Sequence, residues 1–295
     1  MSIDGRNGNE RQNNQKHISI FIGRRHTYLY RGACNGQLRP RLQTGGPFSL
    51  QSFSTTEKVT SLSIDVDEAE VRLVRAEEDV SEFSVSYEEN SVVKFVPEYK
   101  EGVFSLTSVK VEWYRRFFSL TFKTPLVTVR LPEESYEHFS VKTRNGALSS
   151  ESELSAKSAY LATSNGKISV RNLTLTGNLT AESSNGAMLL SNISASSITA
   201  KTSNGKFETD LLTAADIYLK TSNGKIDAQT LLAANSIVLK TSNGAINATV
   251  VGTAEDFRID ASTSNGSNNL ADTAAGDKAL TVRTSNGNIS VFFLG

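Results

Sequence analysis

Cysteine and histidine are scarce in this chain. One cysteine, Cys34, and three histidines stand among 295 residues. A single cysteine cannot form an intramolecular disulfide, and the histidines are not at the spacings of zinc ligands. The sequence also has no Gly-rich phosphate loop and no Gly-x-Ser-x-Gly elbow. These absences exclude a disulfide scaffold and the common catalytic motifs, so we expect no enzymatic activity, no catalytic residue, no cofactor and no metal site.

Charge excess and long apolar runs are missing as well. The 31 basic residues balance 31 acidic ones, which gives no overall attraction to nucleic acid, and we expect no nucleic-acid partner. No stretch approaches the roughly 18 apolar residues of a transmembrane helix. The polar start, Met1 to Gln15, lacks the basic and apolar pattern of a signal peptide. We therefore expect a protein that is cytoplasmic or peripherally associated with the cell envelope.

An Asn-Gly pair recurs through the second half of the chain at intervals of 19 to 22 residues. Six of the eight pairs belong to the tetrapeptide Thr-Ser-Asn-Gly. The asparagines are Asn145, Asn165, Asn185, Asn204, Asn223, Asn243, Asn265 and Asn286. Such a period is typical of one supersecondary unit stacked on copies of itself. We interpret these asparagines as a structural ladder at the turns.

Apolar residues alternate with polar ones on both sides of each pair. Ile217, Leu219 and Thr221 stand six, four and two places before Asn223, and Ile226 stands three places after it. This period of two predicts two short strands with one buried face, joined at Ser-Asn-Gly. We expect Asn and Gly to supply the positive φ angle that a tight turn needs.

Two architectures fit the repeat. In a meander, Asn-Gly is a hairpin turn and the two strands of one repeat pair with each other. In a solenoid, like positions of successive repeats stack about 4.8 Å apart. The near-identity of Thr-Ser-Asn-Gly favours stacking, because stacked Asn amides can hydrogen-bond along a ladder. The predicted fold is an all-β solenoid, like a parallel β-helix, of about eight coils of 19 to 22 residues with a less regular β-rich N-terminal cap.

The first 136 residues lack this regular repeat. We predict a disordered N-terminus at residues 1–16, because it is polar and almost free of apolar side chains. Residues 17–59 form an N-terminal extension without an assigned structure. Alternating runs such as Leu62 to Val66 predict a β-rich cap at residues 60–136, followed by the repeat solenoid at residues 137–295. The apolar end, Ser290 to Leu294, needs cover from a partner or from the chain itself.

Acidic residues cluster once, near the start of the cap. The cluster contains Asp65, Asp67, Glu68 and Glu70. Carboxylates of this density could hold a hard cation. The alternation with Leu62 places Asp65 and Asp67 on the solvent side of a strand instead, which favours a solvated face.

Carboxylates in the repeats raise an enzymatic alternative. Parallel β-helices can host glycosidases or lyases that use paired carboxylates on an outer face. The candidates are Glu208, Asp210, Asp216 and Asp227. They are scattered among lysines without an aromatic platform, so a carbohydrate-active enzyme is the alternative and not the main hypothesis.

Lysines recur at two positions beside the turns, three places before the Asn and two places after it. The candidate ligand-binding residues are Lys142, Lys201, Lys206, Lys220, Lys225 and Lys240. Both positions are predicted to face outward, so stacking would form a basic stripe that could bind an anionic polymer, a lipid surface or an envelope protein. The alternative is a solvated face that discourages aggregation, with Glu208 and Asp227 as local counter-charges. A second candidate surface is the aromatic and basic run Trp113 to Phe118.

Several segments together resemble a known family. Ser61-Leu-Ser-Ile-Asp-Val-Asp67, Val127-Thr-Val-Arg-Leu-Pro132 and Phe139-Ser-Val-Lys-Thr-Arg-Asn-Gly146, followed by the Thr-Ser-Asn-Gly repeats, resemble the putative adhesin domains of unknown function in bacterial proteins. The resemblance covers residues 60 to 295 and implies a β-solenoid with a non-enzymatic role, in some members connected with the cell envelope. It supplies no catalytic residues. We therefore predict a non-catalytic binding or scaffold module.

Overall fold

The computed structural model describes residues 46–109, 123–133 and 135–295. The predicted disordered segment 1–16, most of the extension 17–59 and the run Trp113 to Phe118 lie outside these residues. The described chain is built from strands, one 3-10 turn at Ala254–Asp256 and no α-helix. The strands are β1 Ser49–Thr55, β2 Ser61–Val66, β3 Glu70–Arg75, β4 Phe83–Glu89, β5 Phe95–Lys100, β6 Val103–Ser108, β7 Leu126–Leu131, β8 Tyr136–Thr143, β9 Leu148–Ser150, β10 Leu154–Thr163, β11 Ile168–Leu175, β12 Asn178–Ser183, β13 Met188–Ser194, β14 Ser197–Lys201, β15 Phe207–Lys220, β16 Ile226–Lys240, β17 Ile246–Val251, β18 Phe257–Ser262, β19 Lys278–Arg283 and β20 Ile289–Leu294.

The repeats stack as a parallel solenoid. Ile198 of β14 pairs with Ile217 of β15, which pairs with Ile237 of β16, and all these strands run parallel. Like positions of successive coils are therefore neighbours, and the strands on either side of one turn do not form a hairpin. This confirms the solenoid and excludes the meander.

The inward columns predicted from the sequence form the core. Leu219, Ile226 and Leu239 are fully buried, and Thr221 is only 1% exposed. The aliphatic side chains of each coil stack on those of the next, so the core extends along the whole stack. Burying this apolar surface is the main stabilising contribution to the fold.

The N-terminal strands extend the same sheet. β2 pairs in parallel with β8, and β3 with β9, so the coil that holds β2 and β3 lies beneath the first Asn-Gly coil. Antiparallel pairs then appear, β1 with β4, β4 with β7 and β5 with β6. The sheet is continuous across residue 136, and the domain boundaries given above stay a prediction.

The last two coils do not stack in chain order. β16 pairs with β19, and β18 pairs with the far edge of β19. Consequently Asn286 donates to Asn243 (2.7 Å), and Asn265 donates to Asn286 (2.8 Å). The final coil thus lies between its two predecessors, a position that equal spacing in the sequence did not indicate.

A loop closes the C-terminal end of this stack. The Asn269 side chain accepts from the Val291 N–H (2.9 Å) and donates to the Val291 carbonyl (2.8 Å), as a neighbouring strand would. Asp272 accepts from the Ala261 N–H (2.8 Å). The predicted need for cover at Ser290 to Leu294 is met in part by the chain itself, although Phe292 is 63% exposed.

The turn glycines have a different role from the predicted one. Neither Asn223 nor Gly224 has a positive φ angle. A Cβ on Gly224 would lie 1.9 Å from the carbonyl oxygen of Gly205, the glycine one coil below. Glycine is needed because the backbones of adjacent turns touch. Positive φ occurs at the next corner, at Asn172, Asn192 and, with strain for a β-branched residue, Thr230.

Candidate ligand-binding surface

The turns are joined by a continuous ladder of side-chain amides. Each ladder Asn donates its Nδ2 to the Oδ1 of the Asn in the adjacent turn at 2.6 to 2.8 Å. The final donor, Asn145, bonds the Glu68 carboxylate at 2.8 Å. The amide dipoles all point the same way, and a negative charge stands at their N–H end. The predicted Asn ladder is therefore present, and it rests on a carboxylate.

In most of the turns a threonine hydroxyl fixes the turn from inside, as Thr221 shows. Thr221 donates to the Gly205 carbonyl (2.9 Å) and accepts from the Gly224 N–H (3.1 Å). Its hydroxyl therefore bonds one backbone group of its own turn and one of the turn below. This satisfies the buried hydroxyl that the sequence pattern placed inward.

Four cations stand on consecutive coils immediately before these turns. Lys201 pairs in register with Lys220, Lys220 with Lys240, and Lys240 with Arg283. Neighbouring strands of a sheet are about 4.8 Å apart, so these side chains are close neighbours. We call Lys201, Lys220 and Lys240 the lysine stripe. Lys142 occupies the same column but is separated from the stripe by the coils that carry Ala162 and Glu182.

No carboxylate lies within 4.0 Å of the three ammonium groups of the lysine stripe in the part of the chain that the structure describes. Arg283 differs, since Asp260 binds it and raises the pKa of its guanidinium. Like charges on adjacent strands repel each other. Glu182 is the cross-strand neighbour of Lys201 at one end of the stripe, and Lys220 and Lys240 have only cations as their neighbours in this column, so the stripe concentrates positive charge.

Lys206 and Lys225, two places after their ladder Asn, lie on the other side of the ladder and are neutralised, whereas Lys167 in the same column has no carboxylate within 4.0 Å among the described residues. Lys206 binds Glu208, and Lys225 binds Asp227 at 2.7 Å. The hydrogen bond from Lys225 holds the pKa of the Asp227 carboxyl below its usual range. The structure thus divides the six predicted lysines into two surfaces. It confirms that Glu208 and Asp227 are local counter-charges.

Two tyrosines that the sequence analysis did not select belong to the surface before the turns. The Lys142 ammonium lies 5.3 Å from the Tyr160 ring centroid, and Lys201 lies 5.9 Å from that of Tyr218. The Tyr160 hydroxyl donates to Glu182 at 3.1 Å, and burial raises the pKa of that hydroxyl. Their position in the repeat could have identified them from the sequence, because both tyrosines stand five places before a ladder Asn.

An open groove of about 540 Å³ runs along this surface. Its charged lining consists of Lys142, Lys201, Lys220 and the Glu182 carboxylate, and its remaining lining is mostly hydroxyl groups, such as those of Ser203 and Ser222. The hydroxyls come from the Thr-Ser positions of successive turns. Ammonium and hydroxyl groups along a shallow groove can donate hydrogen bonds to an anionic ligand.

The acidic cluster has a structural position. Asp67 and Glu68 lie in the turn between β2 and β3, so Asp67 is not on a strand face as predicted. Asp67 lies 3.6 Å from Arg144, and Glu68 terminates the ladder. Among the described residues, no group of three acidic, histidine or cysteine side chains could hold a metal ion.

The structure brings together only some of the carboxylates that were candidates for a carbohydrate-active enzyme. Glu208, Asp210 and Asp227 line a shallow pocket of about 290 Å³, while Asp216 is not part of it and bonds Ser236 at 2.5 Å. A general acid for glycoside cleavage requires a raised carboxyl pKa. The pKa of Asp227 is instead lowered by Lys225.

Comparison with known families decides the relationship of this chain. The family model described as Toastrack DUF4097 matches residues 59–292. The chain belongs to this family. No curated protein matches the Toastrack chain in sequence. No helix in the described ranges is long and apolar enough to cross a membrane.

Two solved structures are similar to this chain. A putative adhesin from Bacteroides fragilis is 14% identical, with a TM-score of 0.52 over 83% of the Toastrack chain and 97% of its own. A putative adhesin from Parabacteroides distasonis is 11% identical, with a TM-score of 0.45 over 84% of the Toastrack chain and 98% of its own. At 14% identity the likeness to the Bacteroides fragilis structure concerns the fold alone.

Proposed function

We propose that this Toastrack domain is a non-catalytic binding module that holds an anionic ligand along the lysine stripe. The observation that carries the proposal is the contrast between the lysine stripe and the pair Lys206 and Lys225. Lys206 and Lys225 each bind a carboxylate two residues further along the chain, whereas Lys201, Lys220 and Lys240 have none within 4.0 Å among the described residues.

The position of the stripe argues against a role in protecting a sheet edge. Charged side chains protect strands whose backbone groups are unpaired. The segment of β15 that carries Lys220 pairs with β14 on one side and β16 on the other. No edge needs protection there, so binding is the better explanation of a row of like charges.

The fold suits an extended ligand. The strands fix the spacing of the three lysine backbones, so the scaffold needs little further ordering when a ligand binds. The groove continues past Lys201 and the Glu182 carboxylate, which Tyr160 holds by a hydrogen bond, toward Lys142, and it offers hydroxyl donors between the ammonium groups. These features support a linear polyanion or an anionic lipid surface, and through it peripheral association with the cell envelope. The description of the Bacteroides fragilis protein as a putative adhesin agrees with a binding role.

The test compares two triple variants. In the first, Lys201, Lys220 and Lys240 become Ser; in the matched control, Lys167, Lys206 and Lys225 become Ser, which removes the same charge from the other column. Binding is measured to inorganic polyphosphate, polygalacturonate, phosphatidylglycerol vesicles and a neutral glucan.

We expect the wild-type protein and the control variant to bind one anionic probe, and the stripe variant to lose at least about tenfold in affinity, which corresponds to about 1.4 kcal/mol. The neutral glucan should not bind. Equal affinities of the two variants, or the absence of binding to every anionic probe, would contradict the proposal.

A further inference from the structure

The eight Asn-Gly turns are not equally protected against chemical change. An Asn-Gly pair can lose ammonia when the glycine nitrogen attacks the Asn side-chain carbon. The reaction requires that the glycine N–H be free to approach. The hydrogen bonds of this N–H, and its access to water, therefore decide which turns are vulnerable.

In six turns the glycine N–H is held. It donates to the hydroxyl three residues earlier, which belongs to a Thr in five turns and to Ser183 in the sixth, at 2.8 to 3.3 Å. These six glycines are Gly146, Gly166, Gly186, Gly205, Gly224 and Gly244, and all are buried. In these turns the hydroxyl accepts a hydrogen bond from the glycine N–H, and burial limits the access of water to the glycine.

The outermost turn lacks this protection. Thr263 donates its hydroxyl to the Gly287 carbonyl (2.8 Å), and the Gly266 N–H has no acceptor within the described part of the chain. Gly266 is exposed, unlike its six held counterparts. Asn265 donates to Asn286, and as the last member of the ladder it accepts no hydrogen bond from a further Asn.

We propose that Asn265 is a site of spontaneous deamidation and that the buried turns are built to resist the same reaction. The Gly266 nitrogen bonds to the Cγ of Asn265, and the C–Nδ2 bond breaks. The departing side-chain nitrogen leaves as ammonia with the proton of Gly266. One water molecule then opens the succinimide ring to aspartate or isoaspartate, so the balance needs no other reactant.

The change has a consequence for the end of the solenoid. Asn265 donates its Nδ2 to the Asn286 oxygen. An aspartate has no such donor, so two oxygens would face each other. The outer turn would then lose its side-chain hydrogen bond to the ladder. Gly287 is intermediate in exposure, and its N–H has no acceptor in the described ranges, so Asn286 should react second.

The experiment is a peptide map of the whole protein kept folded in mildly alkaline buffer at body temperature. Trypsin releases residues 259–278, 284–295 and 221–225, which separate Asn265, Asn286 and Asn223. We expect Asn265 to convert at least about fivefold faster than Asn223, the factor given by a hydrogen bond of about 1 kcal/mol. Similar rates at both positions, or a faster Asn223, would overturn the proposal. Asn7-Gly8 and Asn35-Gly36 lie outside the described residues and are scored separately.

Two variants test the role of the hydroxyl. Thr221→Val removes the acceptor of the Gly224 N–H, whereas Thr221→Ser keeps it, as Ser183 does naturally at its own turn. Deamidation of Asn223 should rise in the first variant only. The same map of wild-type protein in concentrated urea gives the unprotected rates. If Thr221→Val does not fold, as judged by circular dichroism, the wild-type order of Asn265 and Asn223 decides the matter alone.

Discussion

Replacing a turn glycine by alanine tests whether contact between backbones is what requires glycine. A Cβ at Gly224 would lie 1.9 Å from the Gly205 oxygen and 2.5 Å from the Gly205 carbonyl carbon. Since Cβ contacts below 3.0 Å essentially do not occur, the two turns must separate at this point. The atoms involved are backbone, so no side-chain rotation can relieve the clash.

The size of the effect follows from what the separation breaks. Two hydrogen bonds join the same two turns: one from the Asn223 side-chain amide to the Asn204 side-chain oxygen (2.6 Å), and one from the Asn223 backbone N–H to the Ser203 carbonyl (2.9 Å). Overpacking costs about 1 to 3 kcal/mol, and each lost hydrogen bond adds about 0.5 to 1.5 kcal/mol. Gly224→Ala should therefore lower the free energy of unfolding by about 2 to 6 kcal/mol.

Urea unfolding followed by circular dichroism and by tyrosine fluorescence measures this loss, provided that the two transitions coincide. Ser222→Ala is the matched control, since it lies in the same turn and its side chain makes no hydrogen bond in the described structure. Gly224→Asn separates the two explanations. A requirement for positive φ would favour Asn over Ala, whereas contact makes Asn at least as harmful. A loss below about 0.5 kcal/mol in Gly224→Ala, a size typical of neutral surface changes, would refute the contact argument.

Two further predictions concern the end loop and the cap. Asn269→Ala should leave the Val291 N–H and carbonyl unpaired at a sheet edge and produce concentration-dependent association in sedimentation velocity. The control is Asn247→Ala, which removes an outward Asn whose side chain makes no hydrogen bond in the described structure, and this variant should not associate. Burial raises the pKa of the Tyr136 hydroxyl, so its contribution to stability is present below about pH 10 and is lost as the pH rises above that value. Tyr136→Phe should flatten the fall of the urea midpoint between about pH 9 and about pH 11, and an unchanged slope would show that Tyr136 does not cause it.

The inward columns and the Asn ladder could be predicted because they depend only on local periodicity. Residues at Leu219 and Thr221 alternate with exposed ones, and the strict recurrence of Asn demands that like positions meet. The counter-charges of Lys206 and Lys225 were also visible, since residues two apart on a strand share a face. The register of the strands and the face to which each side chain points can thus be predicted from short stretches of sequence.

Other features depend on spatial order, which spacing alone does not give. Repeats at 22 and 21 residues do not reveal that the Asn286 turn inserts between those of Asn243 and Asn265. The sequence alone predicts that Gly224 is needed for a positive φ angle. The contact with the turn below cannot be predicted in this way, because the distance between turns is a property of the stack. The charge of the lysine stripe became apparent only when the register placed Lys201, Lys220 and Lys240 on adjacent coils.

The salt dependence of binding tests the proposed function most directly. The affinity of wild-type protein and of the stripe variant is measured for the best anionic probe over a series of salt concentrations. Release of counterions by three ammonium groups predicts that the slope of log affinity against log salt is steeper by about 2 to 3 in the wild type. Equal slopes in the two proteins would show that the lysine stripe does not hold the ligand.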